Sequence, residues 1–207
     1  MESLGKRYLL IRITYSIVEF LTLVAIVRLA GICHIINVIF FALLSIWSFI
    51  DLTIKDRKFL KLLKAFAEKD WNYVILHKDI LNIYANAVDK VKTTAGHLAV
   101  ALSYFNMGRD AEFLEHINKV KTKARRLVRY NTIREYYLFV YELITDKETV
   151  QTKYDMFCQS QPRLEAFTKK AELLMKIANK TITQEELSEL MDIINQPRIT
   201  KWIMQKQ

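Results

Sequence analysis

Residues 32–67 read ICHIINVIFFALLSIWSFIDLTIKDRKFLKLLKAFA, and the change of pattern inside this stretch decides the fold. From Ile32 to Ile50 nearly every position is apolar. From Asp51 onward charges enter, and Phe59, Leu60, Leu62, Leu63, Phe66 and Ala67 recur at intervals of three and four. The first half suits hydrocarbon on every side. The second suits a helix with one face on a core and the other in water.

Toward the N-terminus a second apolar run, Ile13–Val27, lies between Arg12 and Arg28. At the α-helical rise the two runs measure roughly 23 Å and 28 Å, against a hydrocarbon core of about 30 Å. Arg12 and Arg28 can reach outward and lengthen the first span. Gly31 is the expected hinge of a hairpin. Residues 1–52 therefore read as a membrane anchor with two transmembrane helices, about 9–29 and 32–50. Tyr8 and Trp47 fall near one interface. Basic residues flank the outer ends: Lys6, Arg7 and Arg12 before the first span, then Lys55, Arg57, Lys58, Lys61 and Lys64 after the second. The positive-inside rule makes this a multi-pass protein of the cell membrane with both termini in the cytosol. Three other readings of the runs stay open: a cleaved leader, a core hairpin of a water-soluble fold, and a re-entrant hairpin.

Glu19 is the ionisable residue well inside a span, where charge is costly. In an antiparallel hairpin it comes level with residues 43–45, so Ser45 and Ser48 are its expected hydrogen-bond partners. The contact serves either as packing within the hairpin or a homo-oligomer, or as an ion site or subunit contact.

The whole chain has 207 residues and a net charge of +9, with only four glycines and two prolines, Pro162 and Pro197. Such poverty in turn formers predicts an all-α protein. Cys33 and Cys158 lie in different regions, so no disulfide is expected. His34, His77, His97 and His116 form no ligand spacing, and neither a metal nor another cofactor is expected.

Residues 53–207 read as a cytosolic helical domain. Polar breaks centre on Lys69, Gly108, Asp146 and Thr181, at intervals of 39, 38 and 35 residues. Longer breaks are predicted between them at Lys90–Thr94, Tyr130–Thr132 and Gln159–Pro162. Asp110 and Asp146 are candidate N-caps, and Thr183 through Glu186 form a capping-box pattern. Helix pairs repeating at this length signal a solenoid.

The segment Gly96–Arg125 resembles a tetratricopeptide repeat. Ala101 takes the place of that family's small residue, Tyr104 its aromatic, Gly108 its turn glycine, and Ile117 an apolar position of the second helix. Phe113 stands where a small residue is usual, and Arg125 where proline is frequent. The next repeat keeps Tyr141 and Tyr154 but has no glycine. The likeness extends over roughly residues 58–195, and a generic helical array has the same spacing. It implies an adaptor whose first helices line a groove for protein or peptide partners.

From His116 to Arg134 there is no acid, and Lys119, Lys121, Lys123, Arg125, Arg126 and Arg129 crowd neighbouring helix faces. This stretch is a solvated basic face, a contact for anionic lipid, a site for an acidic protein, or a phosphate-binding surface without a recognition motif. The acidic site includes the chain's own Glu185, Glu186, Glu189 and Asp192. Trp71 is expected to staple two helices, and Tyr137 and Tyr141 to pack between repeats. The tail from Pro197, with Ile199, Trp202, Ile203 and Met204, reads as a helix capping the last repeat, with a partner-docking motif as the alternative. No glycine-rich phosphate loop, nucleophile elbow or Cys–His pairing suggests an enzyme. The expectation is a membrane-anchored scaffold or adaptor. The alternatives are a membrane accessory or immunity-type component working through the hairpin, or nucleic-acid or anionic-lipid binding through helix 117–129.

Overall fold

The computed structural model describes residues 21, 22, 24, 35–85, 90–120, 128–159 and 164–206. Among them the ordered elements are all helices: α1 (Ile35–Ala67), α2 (Trp71–Leu76), α3 (Ile80–Ala85), α4 (Lys90–Asn106), α5 (Asp110–Asn118), α6 (Val128–Ile144), α7 (Val150–Gln159), α8 (Glu165–Ala178), α9 (Gln184–Ile193) and α10 (Pro197–Lys206). The chain divides into two compact units, Met1–Asp56 and Arg57–Gln207. The helix α1 continues without a break past Leu52, where the sequence reading ends the anchor.

In the first unit, all eight residues from Leu43 to Ile50 are exposed, Trp47 by 73%. At 100° per residue, eight consecutive positions cover every face of a helix. Among the described side chains of this unit no apolar one is buried. The first expected span lies outside the described residues except for Leu21, Thr22 and Val24. Among the described residues no helix is long and apolar enough to cross a membrane.

The second unit has a continuous core, running from Phe59 and Leu62 on α1 to Trp202 and Ile203 on α10. Its helices form successive pairs, α4 with α5, α6 with α7 and α8 with α9. The first members lie side by side, α4 against α6 and α6 against α8, while α2 and α3 pack on α4. Aromatic rings tie the pairs together. Phe105 meets Phe113 at 5.3 Å and Tyr137 at 5.5 Å, Phe113 meets Tyr141 at 5.3 Å, and Tyr136 meets Phe167 edge-on at 4.8 Å. Phe113, the departure from the tetratricopeptide pattern noted above, is thus fully buried as a bridge between pairs. Gly96 permits a close crossing: a Cβ there would stand 2.1 Å from a Leu81 methyl carbon.

The same backbone device closes four helices. Lys69, Gly108, Asp146 and Lys180 all have φ between 54° and 73°, at intervals of 39, 38 and 34 residues. Each is followed by an N–H that reaches five residues back: Asp70 to Ala65 O (2.9 Å), Arg109 to Tyr104 O (3.0 Å), Lys147 to Glu142 O (3.1 Å) and Thr181 to Lys176 O (2.8 Å). The left-handed residue itself bonds three back in every case, which completes a Schellman motif. Only one of the four is glycine, so the other three hold a side chain in a costly conformation.

Several local expectations change. Asp146 is the left-handed residue of its turn, not an N-cap. Asp110 opens α5 behind Arg109, which makes no side-chain cap. The breaks expected at Lys90–Thr94 and Tyr130–Thr132 lie inside α4 and α6. There Thr93, Thr94 and Thr132 are buried, and Thr132 Oγ1 donates to Val128 O at 3.2 Å, so packing overrides propensity. The Thr183 capping box forms with Glu186. Phe66 and Trp71 meet edge-on at 5.6 Å across the first turn.

Candidate functional site

The first helices of the three pairs, α4, α6 and α8, share a face on which α10 packs. The expectation of a cap over the last repeat is corrected here: α10 touches all three first helices. Its sequence explains the placement. Pro197 begins the helix, where its missing N–H costs nothing. Ile199, Trp202 and Ile203, at i, i+3 and i+4, form one apolar stripe, and all three are buried.

Polar contacts fix its register. Arg198 donates from Nη1 to Asp110 Oδ1 at 2.6 Å and to the Phe105 carbonyl at 3.2 Å. Its guanidinium carbon stands 4.9 Å from the centre of the Phe105 ring. A partly buried, charge-assisted bond of this kind outweighs an exposed ion pair. Gln196 Nε2 donates to the Tyr137 hydroxyl at 3.0 Å. Burial pushes that hydroxyl up to about 12, against the small opposing effect of the Gln196 bond. At the far end Lys206 faces Asp146 at 3.8 Å, both largely exposed. The indole N–H of Trp202 is buried without a protein partner. Chemically, the face buries an apolar stripe and offers the Asp110 carboxylate beside it, which suits an amphipathic helix that begins with a cation.

The residues singled out from sequence are not brought together. Lys119 is exposed and bonds Glu115 at 2.5 Å, within its own helical turn. Arg129 is exposed at the start of α6. Lys121, Lys123, Arg125 and Arg126 lie outside the described residues. Arg134 is drawn into the array, donating to Ile117 O at 3.3 Å and pairing with Glu135. The acids Glu186 and Glu189 pair with Lys176 and Lys169, between α8 and α9. Lys176 also holds the Glu186 carboxyl below its usual range, with the Thr183 backbone helping. Ser45 and Ser48 are exposed on α1, and Glu19 lies outside the described residues.

Sequence reasoning missed one cluster. His97 and His116, on α4 and α5, face each other with Nδ1 atoms 3.2 Å apart, and His116 also lies beside the Tyr104 ring at 5.6 Å. Burial, then the neighbouring His97, lowers His116 to about 4. The spacing of 19 residues carries no ligand signature, so only the pairing of α4 with α5 reveals it. Among the described residues no three potential ligands come together for a metal ion. No protein-family model, no curated protein and no solved structure matches the chain.

Proposed function

We propose that this chain is a membrane-anchored scaffold or adaptor, whose basic, tetratricopeptide-like array holds protein or peptide partners at the cytosolic face. One observation carries the reading. From Leu43 to Ile50 every side chain of α1 is exposed and six of the eight are large and apolar, and from Phe59 the same helix is patterned and covered on one side. So many adjoining exposed apolar side chains are costly in water and mark a surface that meets lipid or protein. Lipid is the environment consistent with the second apolar run, Ile13–Val27, and with the flanking basic residues. Anchoring confines the array to a surface and raises its effective concentration near membrane partners. The three-helix face occupied by α10 supports the binding half of the proposal, because it already accommodates an amphipathic helix.

Copurification tests the division of labour. The full chain, residues 1–56 and residues 57–207 are each tagged, extracted in mild detergent and compared for bound proteins. Partners that follow residues 57–207 support the adaptor. Partners that follow only residues 1–56 contradict it and favour a function carried by the anchor.

A further inference from the structure

We propose that α10 is a built-in, displaceable occupant of the α4–α6–α8 face, and that the face exchanges it for a partner's amphipathic helix of the same pattern. That pattern is an arginine, then isoleucine, two intervening residues, tryptophan or a comparable aromatic, and isoleucine. The proposal rests on reading the array as a partner-binding domain and names the class of partner that the reading leaves open.

The occupant's attachment is modular. Its apolar stripe consists of Ile199, Trp202 and Ile203 on one side of ten residues. Only three residues, Ile194–Gln196, join it to α9, and Ile194 is extended at φ −89° and ψ 125°. Outside the stripe, orientation depends mainly on Arg198. Its guanidinium reaches the Asp110 carboxylate and the Phe105 carbonyl at the closed turn between α4 and α5. That turn belongs to the array and not to the tail, so its carboxylate remains when α10 leaves. Any replacement must then offer a cation at the same end of its stripe. The buried Trp202 N–H, which has no protein partner, leaves room for an occupant that fits better.

Exchange follows population arithmetic. A partner's apparent affinity is its intrinsic affinity scaled by the fraction of chains whose face is open. Weakening the internal helix therefore tightens external binding, whereas altering Asp110 harms both.

The test uses full-length chain in lipid nanodiscs and a fluorescent peptide of residues 195–206, read by anisotropy. Chain bearing Arg198→Glu is expected to bind the peptide at least tenfold more tightly than the unaltered chain. Chain bearing Asp110→Arg should not bind the unaltered peptide but should bind a peptide with Arg198→Glu. The double variant Asp110→Arg/Arg198→Glu re-forms the internal pair with reversed charges. It should bind either peptide as weakly as the unaltered chain, and its thermal melt provides the folding control. Equal binding by the unaltered and Arg198→Glu chains, or indifference to the charge at position 110, overturns the proposal. A concentration-dependent dimer of the unaltered chain that the same substitutions abolish would replace the separate partner by a second copy, and so overturns it too. If every variant is folded and none binds peptide while copurification still follows residues 57–207, the exchange fails and the adaptor stands.

Discussion

Phe49 and Phe59 lie ten residues apart on one helix, yet the first is 41% exposed and the second 4%. Ile50 and Leu62 differ in the same way. What separates the two stretches is not how apolar a residue is but whether charged residues recur between the apolar ones, as Lys58, Lys61 and Lys64 do and as no residue from Leu43 to Ile50 does. Leu43–Ile50 carries six large apolar side chains and two serines without a charge, whereas Phe59, Leu62 and Ala65 line one face and leave Lys58, Lys61 and Lys64 to water. The first pattern calls for an apolar surrounding, and the second already has one in the core of the array.

A pair of matched substitutions breaks this comparison most forcefully. Leu62→Asp puts a charge into a fully buried site and should cost at least about 4 kcal/mol. Urea denaturation in detergent, followed by near-UV circular dichroism, should then show the array largely unfolded. Ile46→Asp should leave the same transition within about 0.5 kcal/mol of the original. It should instead disfavour membrane insertion by about 2.5–3.5 kcal/mol, seen as a smaller membrane-bound fraction. Equal effects on the array from both substitutions would erase the distinction.

The core side can be sharpened next at its last element. Trp202→Ala should cost about 3–5 kcal/mol in the same denaturation experiment, as for other buried large-to-small changes. A change near zero would mean that α10 does not contribute to the array.

The histidine pair gives the array a pH dependence that the uncovered stretch lacks. His116 is held neutral, with its folded value near 4 against an ordinary 6.5. Its contribution is therefore complete above about pH 6.5 and declines as pH falls toward 4, by roughly 2–3 kcal/mol. Urea midpoints at pH 7 and pH 4.5 should differ more for the original chain than for His116→Gln. Identical pH profiles would show that the histidine is not held neutral.

The smallest effects concern the four turns. Gly108→Ala should destabilise by about 1 kcal/mol, because it forces a Cβ into φ 73°. Lys69→Gly and Lys180→Gly should each stabilise by about 0.5–1 kcal/mol, by relieving left-handed strain. Thermal melts of the three variants should therefore shift in opposite directions.

Much of the array was legible because its punctuation is local. Polar clusters marked turns at Lys69, Gly108 and Asp146, and the fourth falls at Lys180, one residue from Thr181. The Thr183 capping box needs only four residues to form, and four residues suffice to read it. What escaped was set by distant contacts. Helices α4 and α6 start earlier than Thr94 and Thr132 suggested, because burial settles those threonines inside helices. Asp110 looked like a cap, yet Arg198, 88 residues later, bonds its carboxylate. The course of α10 across three helices and the His97–His116 contact both depend on which helices become neighbours, and no local spacing encodes that. The basic stretch was plain in sequence, but Lys119 has a local partner and four of its members lie outside the described residues.

Fractionation of the full chain decides whether residues 1–56 hold it in a membrane. Cells expressing it are lysed without detergent, the lysate is centrifuged at high speed, and the membranes are washed in alkaline carbonate. The chain is expected to stay with the washed membranes and to leave them only in detergent. A folded, monomeric chain in the detergent-free supernatant would show that water tolerates residues 43–50, and would contradict the anchor.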